Sequence, residues 1–313
     1  MDTVKKIRDK AKAIHRARPK TIALPEYNDK RVAEAARIIE AEGIAKVLLL
    51  TPDKIDPADK KRYIEDYYQI RKYKGEDISS IRKLFDDPLY YAAMITREGK
   101  VDGFVAGASH TTADVCRAAI NGIGVDDKLK IASSCFIMVV PNCSYGQDGT
   151  FIFADCGVIP EPNPRQLACI AFAAAELCGK VLDFIPRIAL LSYSTKGSAR
   201  GKSIDNIREA LMILKEMAPD LSADGEMQVD TALVPEVAKI KDPGSPVGGR
   251  ANVLIFPNLE AGNISYKIVE RLARGRGLGP LLMGLKKPCS DLSRGCCVED
   301  VVDCTAVTAI RAA

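Results

Sequence analysis

The feature that most constrains this 313-residue chain is an alternation of short apolar runs with longer amphipathic stretches. Runs rich in β-formers occur at 21–24, 47–51, 101–106, 131–140, 151–154, 188–193 and 253–256. Between them, segments 31–42, 59–73, 88–97, 113–120, 164–177, 203–217 and 263–273 have helical character. The alternation predicts an α/β protein with largely parallel sheets, and the length suggests two domains. Several strands run into small or hydroxyl residues just before a helix start, as in GASHTTADV and SYSTKGSARGKS. In open α/β sheets such strand-to-helix crevices are where ligands bind.

Composition narrows the function. Apolar residues make up 47% of the chain and charged residues 27%, an ordinary globular profile. The balance of 45 Lys and Arg against 41 Asp and Glu leaves +4, too little to argue for nucleic acid or an acidic membrane as partner. An anionic ligand must then be held by locally placed Arg and Lys. No apolar run approaches the length of a membrane span. The basic N-terminus lacks the apolar core of a secretion signal, and Asp2 and Asp9 weaken a transit-peptide reading, so a cytoplasmic enzyme is expected. Ten cysteines form no C-x-x-C pair and only His15 and His110 accompany them, so no zinc site and no other metal is expected. Most of these cysteines sit in apolar runs and read as buried free thiols of a reducing compartment.

Four segments could carry chemistry. In 192–203, hydroxyls, glycines and cations lie between a strand and a helix, as in phosphate cradles, with Ser194, Lys196 and Ser198 as candidate ligands. Gly197 and Gly201 enclose three residues where a Walker A loop needs four, so ATP hydrolysis does not follow. In 291–300, Ser293 and Arg294 offer a hydroxyl and a guanidinium, and Asp300 would share a face with Ser293 if the segment were helical. An N-capped helix with an acidic first turn has the same spacing, and spacing alone favours that reading. In 107–117, Ser109 or Thr111 could cap a helix from which Arg117 projects; His110, without a nucleophile nearby, reads as structural. Cys143, in a loop after an apolar strand, has no histidine in local sequence to activate it. No G-x-G-x-x-G dinucleotide fingerprint occurs.

The strings SYSTKGSARG, DGEMQVDTALVPEVAKIK, PGSPVGGRANVLIFPNLEAGNISYKIVERLA and KPCSDLSRGCCVEDVV, taken with TIALPE, GASHTTADVCRAAI and PNCSYGQDGTFIFADCGVIPEPNPRQLA, resemble the phosphate acetyltransferase family in order over nearly the whole chain. The resemblance implies two α/β/α domains with an active cleft between them, similar to isocitrate and isopropylmalate dehydrogenases. The first would comprise 1–128 plus 284–313 and the second 129–283. It also implies a homodimer using coenzyme A, acetyl phosphate and phosphate as substrates, with no tightly bound cofactor. By motif, Asp300 would be the base for the coenzyme A thiol, Arg294 would bind the phosphoryl group and Ser293 would help stabilise the transition state. Arg117 and Arg71 would hold coenzyme A, and Cys143 would lie near the site without acting as nucleophile. Ser109 and Thr111 join Ser194, Lys196 and Ser198 as substrate-binding candidates. Met283, Ser290 and Ser265 stand where many relatives carry Gln, Asn and Gly, which bears on acyl preference. The competing readings are a phosphate butyryltransferase or broader acyltransferase, a metal-dependent decarboxylating dehydrogenase on the related fold, and a non-catalytic protein that kept the pocket.

Overall fold

A computed structural model describes residues 3–313. Asp2 of the transit-peptide reading lies outside them. Among the described residues ten strands form, in chain order: β1 Thr21–Leu24, β2 Lys46–Leu49, β3 Gly103–Ala106, β4 Ser133–Val139, β5 Thr150–Ala154, β6 Arg187–Leu191, β7 Ser222–Met227, β8 Val253–Ile255, β9 Arg276–Met283 and β10 Cys289–Asp291. The α-helices are α1 Thr3–Ala17, α2 Lys30–Ala41, α3 Pro57–Arg71, α4 Ile78–Leu84, α5 Pro88–Glu98, α6 Thr112–Ala118, α7 Pro164–Leu182, α8 Lys202–Met217, α9 Val229–Leu233, α10 Pro235–Lys241, α11 Leu259–Leu272 and α12 Val298–Arg311. The chain divides into two compact units, residues 1–132 with 284–313, and 133–283.

The first unit carries a parallel sheet in the order β2-β1-β3-β10. Every residue of β3 and β10 is buried, as expected of parallel strands covered on both faces. The helices start where sequence supplies caps. Asp29 caps α2 by accepting from Arg31 N at 2.8 Å. Asp87, ahead of Pro88, caps α5 through Leu89 N at 2.9 Å. Thr111 caps α6 through Asp114 N at 3.2 Å. The basic N-terminal segment becomes α1, whose Val4, Ile7 and Ala11 bury against the rest of this unit, including α12. Helix α12 is buried from Val301 to Ile310. Thr305 and Thr308 donate their hydroxyls to Val301 O and Cys304 O at 2.8 and 2.7 Å, so polar side chains survive in this apolar setting. Ser290 is fully buried with its hydroxyl 2.7 Å from that of Thr308, which makes its identity a matter of packing.

The second unit has the order β9-β4-β5-β8-β6-β7. Strands β5, β8, β6 and β7 are parallel, whereas β4 runs antiparallel to both β5 and β9. Pairing is thus largely parallel, as the alternation predicts, with β4 as the antiparallel exception. Strands β4 and β5 are joined by the loop 140–149, and a link this short and rich in turn residues returns the chain antiparallel, since a parallel crossover needs about a dozen residues or more. Helix α7 starts with a full capping box, Asn163 accepting from Gln166 N and Gln166 accepting from Asn163 N, each at 2.9 Å. No helix among the described residues is long and apolar enough to cross a membrane. All ten cysteines are free thiols; seven are buried, Cys116 and Cys143 are partly buried, and Cys297 is exposed.

One backbone position ties β3 to β10. Gly107 has φ +112°, and a Cβ there would lie 2.2 Å from Asp291 Oδ1 and 2.6 Å from Leu292 N and O. Gly107→Ala is expected to cost about 2–4 kcal/mol by adding left-handed strain to a backbone clash, read as a lower urea midpoint with an unchanged m-value.

Candidate active site

In the first unit the C-terminal ends of β1, β3 and β10 present three loops: 25–29, 107–111 and 292–297. Glu26 is 5% exposed and organises the second of them. Its carboxylate accepts from Ala108 N (2.9 Å), Ser109 N (2.8 Å), Ser109 Oγ (2.9 Å) and His110 N (3.0 Å), and its Oε1 lies 2.7 Å from His110 Nδ1. Burial pushes the Glu26 carboxyl up, but the His110 ring and the three backbone N–H groups outweigh it and hold the group at about 2. His110 is pinned on its other side by Asp87 Oδ2 at 2.6 Å from Nε2, and these two carboxylates, Asp87 foremost, raise it to about 10. The trio lines a surface cavity of about 640 Å³. His110 is thus a structural cation, in line with the sequence reading.

The loop after β10 carries Ser293 and Arg294, both exposed. Ser293 O accepts from Cys296 N at 2.8 Å, closing a turn, and Ser293 Oγ accepts from Gly295 N at 3.2 Å. The Arg294 guanidinium makes no hydrogen bond or ion pair among the described residues, while its carbonyl accepts from Arg31 Nη1 at 2.9 Å. Asp300 lies in the first turn of α12, where Oδ2 accepts from Cys297 N at 2.9 Å. Ser293 and Asp300 do not share a helix face: Ser293 sits in the turn and α12 begins only at Val298 with Glu299 and Asp300 in its first turn, the N-capped arrangement that spacing alone favours. Asp291, fully buried at the end of β10, is pushed up to about 7 by burial.

The candidate arginines differ in how they are held. Arg117 pairs with Asp114 Oδ1 at 2.9 Å and remains about half exposed. Arg71 donates to Asn121 Oδ1 at 3.1 Å and through Nε to Glu76 Oε1 at 2.9 Å, with Nη2 on the same carboxylate. Ser109 is spent on Glu26 and Thr111 on capping α6, so both act here through the backbone they hold.

In the second unit the segment 192–201 joins β6 to α8, and it too is organised by a buried carboxylate. Glu226 is 1% exposed; it accepts from Ser194 Oγ (2.8 Å), Gly197 N (2.8 Å), Arg208 Nε (2.7 Å) and Arg208 Nη2 (3.0 Å). Ser198 Oγ accepts from Thr195 N at 3.0 Å. Lys196 pairs with Asp224 and lies 3.6 Å from Asp242 Oδ2. A direct phosphate grip by Ser194 and Lys196 is therefore not what the geometry displays: their polar atoms face protein carboxylates. Cys143 is partly buried in the loop between β4 and β5 and packs against the apolar cluster of Phe151, Phe153 and Phe256. Among the described residues no group of His, Cys, Asp and Glu has the proximity to hold a metal ion.

A family model described as phosphate acetyl/butaryl transferase matches residues 2–309. The chain belongs to that family. It is 44% identical to a phosphate acetyltransferase of Thermoanaerobacterium thermosaccharolyticum over 100% of both chains, and 45% identical to one of Acetivibrio thermocellus over 94% of both. Among solved structures it superposes on a phosphotransacetylase from Streptococcus pyogenes with TM-score 0.89 and 36% identity, covering 99% of this chain and 98% of that one. A phosphotransacetylase from Staphylococcus aureus gives 0.86 and 33%, covering 99% of each.

Sequence reasoning missed Glu26, Asp87, Glu226 and Arg31. Each also has partners 23 to 265 positions away, which no local pattern announces.

The sign of the His110 effect follows from its raised pKa. Stability from the pairing is fully present below the unfolded value near 6.5 and is lost as pH rises through about 10. Urea midpoints measured from pH 6 to 10 are expected to fall in wild type relative to His110→Gln, with the difference on the order of 2–4 kcal/mol at pH 6.

Proposed function

We propose that this chain is a phosphate acetyltransferase, which moves an acetyl group between acetyl phosphate and coenzyme A. The observation that carries the reading is the exposed Arg294 guanidinium, unengaged by protein carboxylates and adjacent to the Ser293 hydroxyl. It occurs in a chain 44% identical over its full length to a phosphate acetyltransferase. A cation left without a protein counter-ion suits a phosphoryl group, to which guanidinium binds bidentately.

In this reading acetyl phosphate places its phosphoryl group on Arg294. The coenzyme A thiol, with an ordinary pKa of roughly 8.5, is mostly protonated at neutral pH, and Asp300 takes its proton as sulfur approaches the acetyl carbonyl carbon. The C–S bond forms, the carbonyl electron pair moves to oxygen, and collapse of the tetrahedral intermediate breaks the C–O bond to phosphate. Ser293 donates to charge that develops in the transition state. Phosphate leaves as an already stable anion, so the activated acyl phosphate demands no metal and the enzyme needs no tightly bound cofactor. Arg117 and Arg71 hold the phosphates of coenzyme A. Ser109 and Thr111 set the loop from which α6 carries Arg117, and Ser194, Lys196 and Ser198 contribute through the loop they build. Cys143 lies near the substrates without forming a covalent intermediate. The enzyme acts in the cytoplasm as a homodimer in this reading. A wider acyl range, butyryl included, is the second reading, favoured by the scope of the family itself.

Acetyl-CoA formation from acetyl phosphate and coenzyme A, followed by thioester absorbance, tests this directly. Wild type is expected to turn over and Asp300→Asn to lose about 10²–10⁴-fold in kcat. Absence of wild-type turnover with acetyl, propionyl and butyryl phosphate would overturn the function; retained activity in Asp300→Asn would move proton transfer elsewhere.

A further inference from the structure

Arg31 opens α2, and its side chain touches all three strand-end loops of the first unit. Its Nε donates to Asp29 Oδ1 at 3.0 Å and its Nη2 to Asp29 Oδ2 at 2.6 Å. Nη2 also donates to Ala108 O at 2.7 Å. Nη1 donates to Arg294 O and to Cys296 O, both at 2.9 Å. A guanidinium has five N–H donors, and here each meets one of five acceptors. Two of those acceptors are carbonyls of the turn that Cys296 N closes onto Ser293 O. The loop bearing Ser293 and Arg294 is thus held by its main chain, which leaves the exposed Arg294 side chain unengaged among the described residues.

We propose that Arg31 is a positioning residue for the reaction: it fixes the Ser293–Cys296 turn so that the Arg294 guanidinium and the Ser293 hydroxyl are already aimed before substrate arrives. The inference rests on the catalytic reading of Arg294 given above. The geometry gives it a specific chemical requirement. Lysine offers three donors on a single nitrogen and no planar fork, so it cannot serve the Asp29 carboxylate, Ala108 O and both turn carbonyls together. Arg31 is also distinct from the substrate-binding candidates, because every one of its donors is committed to protein and none remains for a ligand. Asp29 orients the fork with both carboxylate oxygens and carries the compensating charge, so the clamp stays neutral and does not compete with Arg294 for the phosphoryl group.

The test compares wild type, Arg31→Lys, Arg294→Gln and the double variant for kcat and for KM of both substrates, with thermal melts alongside. Misplacement of a transition-state group by about an ångström costs on the order of 10²-fold, so Arg31→Lys is expected to lose about that factor in kcat with KM for coenzyme A within about threefold of wild type. In the Arg294→Gln background the same substitution is expected to cost less than about twofold more, because the group it positions is already gone. Wild-type kcat in Arg31→Lys beside a crippled Arg294→Gln overturns the positioning role alone, and so do losses that multiply. Full activity in Arg294→Gln removes the catalytic reading of Arg294, and the positioning role falls with it. Asp29→Asn keeps the α2 cap and removes the charge that orients the fork, which covers the case of an Arg31→Lys that does not fold. It is expected to lose about three- to tenfold in kcat with KM for coenzyme A unchanged, and wild-type kcat there overturns the proposal.

Discussion

The first unit depends on one desolvated charge. Glu26 sits at the end of β1, and a carboxylate buried to that degree is tolerated only when its oxygens are saturated with donors. Three consecutive backbone N–H groups, a hydroxyl and an imidazolium supply them, all from the 108–110 loop. Turning three successive amides toward one carboxylate fixes that loop's backbone. Once it is fixed, Ala108 O faces Arg31, and Thr111 is placed to start α6. The position of Arg117 therefore descends from Glu26 through main-chain geometry, without any contact between the two side chains being required.

The second unit repeats the device with different residues. Glu226 gathers a hydroxyl, a backbone amide and a bidentate guanidinium around itself and so sets the 194–198 loop. This repetition shows that the pattern has a second use inside the protein. A run of hydroxyls and glycines between a strand and a helix is built to satisfy an anion, but the run does not say which anion. Here it is a carboxylate of the protein, delivered from β7 more than twenty positions later. Ser194, Lys196 and Gly197 spend their donors in shaping it.

The same logic separates what was legible in the sequence from what was not. Strands β1, β3, β5 and β8 announce themselves because each is a short apolar run, and α2, α5, α7 and α8 because their apolar residues recur at helical spacing. Strand β7, SADGEM, reads as polar because Asp224 and Glu226 belong to the charge networks of the 194–208 region. Strand β10, CSD, is too short to show a period, and β9 is broken by glycines and a proline. Family strings picked out Ser293, Arg294 and Asp300, whose immediate neighbours are distinctive. They did not pick out Arg31, whose importance lies in acceptors 77, 263 and 265 positions away.

Availability of cations, more than their number, distinguishes the site. Arg31 is fully committed to five acceptors. Arg71 is partly buried on Glu76 and Asn121, so a ligand phosphate must displace a carboxylate that already holds the guanidinium through two nitrogens. Arg117 meets the Tyr90 hydroxyl and a half-exposed carboxylate three residues back along α6, and the latter is the kind of pairing that contributes a few tenths of a kcal/mol and yields readily to a dianion. Arg294 has no competitor at all among the described residues. A phosphoryl group arriving at Arg294 gains its full interaction, whereas at Arg71 it gains only the difference between two anions. Transition-state stabilisation needs the first kind of partner, since an interaction offset by a broken ion pair adds little to the rate. In the proposed reaction, the uneven pairing of these four arginines leaves the strongest electrostatic work to Arg294, whose main chain is clamped and whose side chain is not.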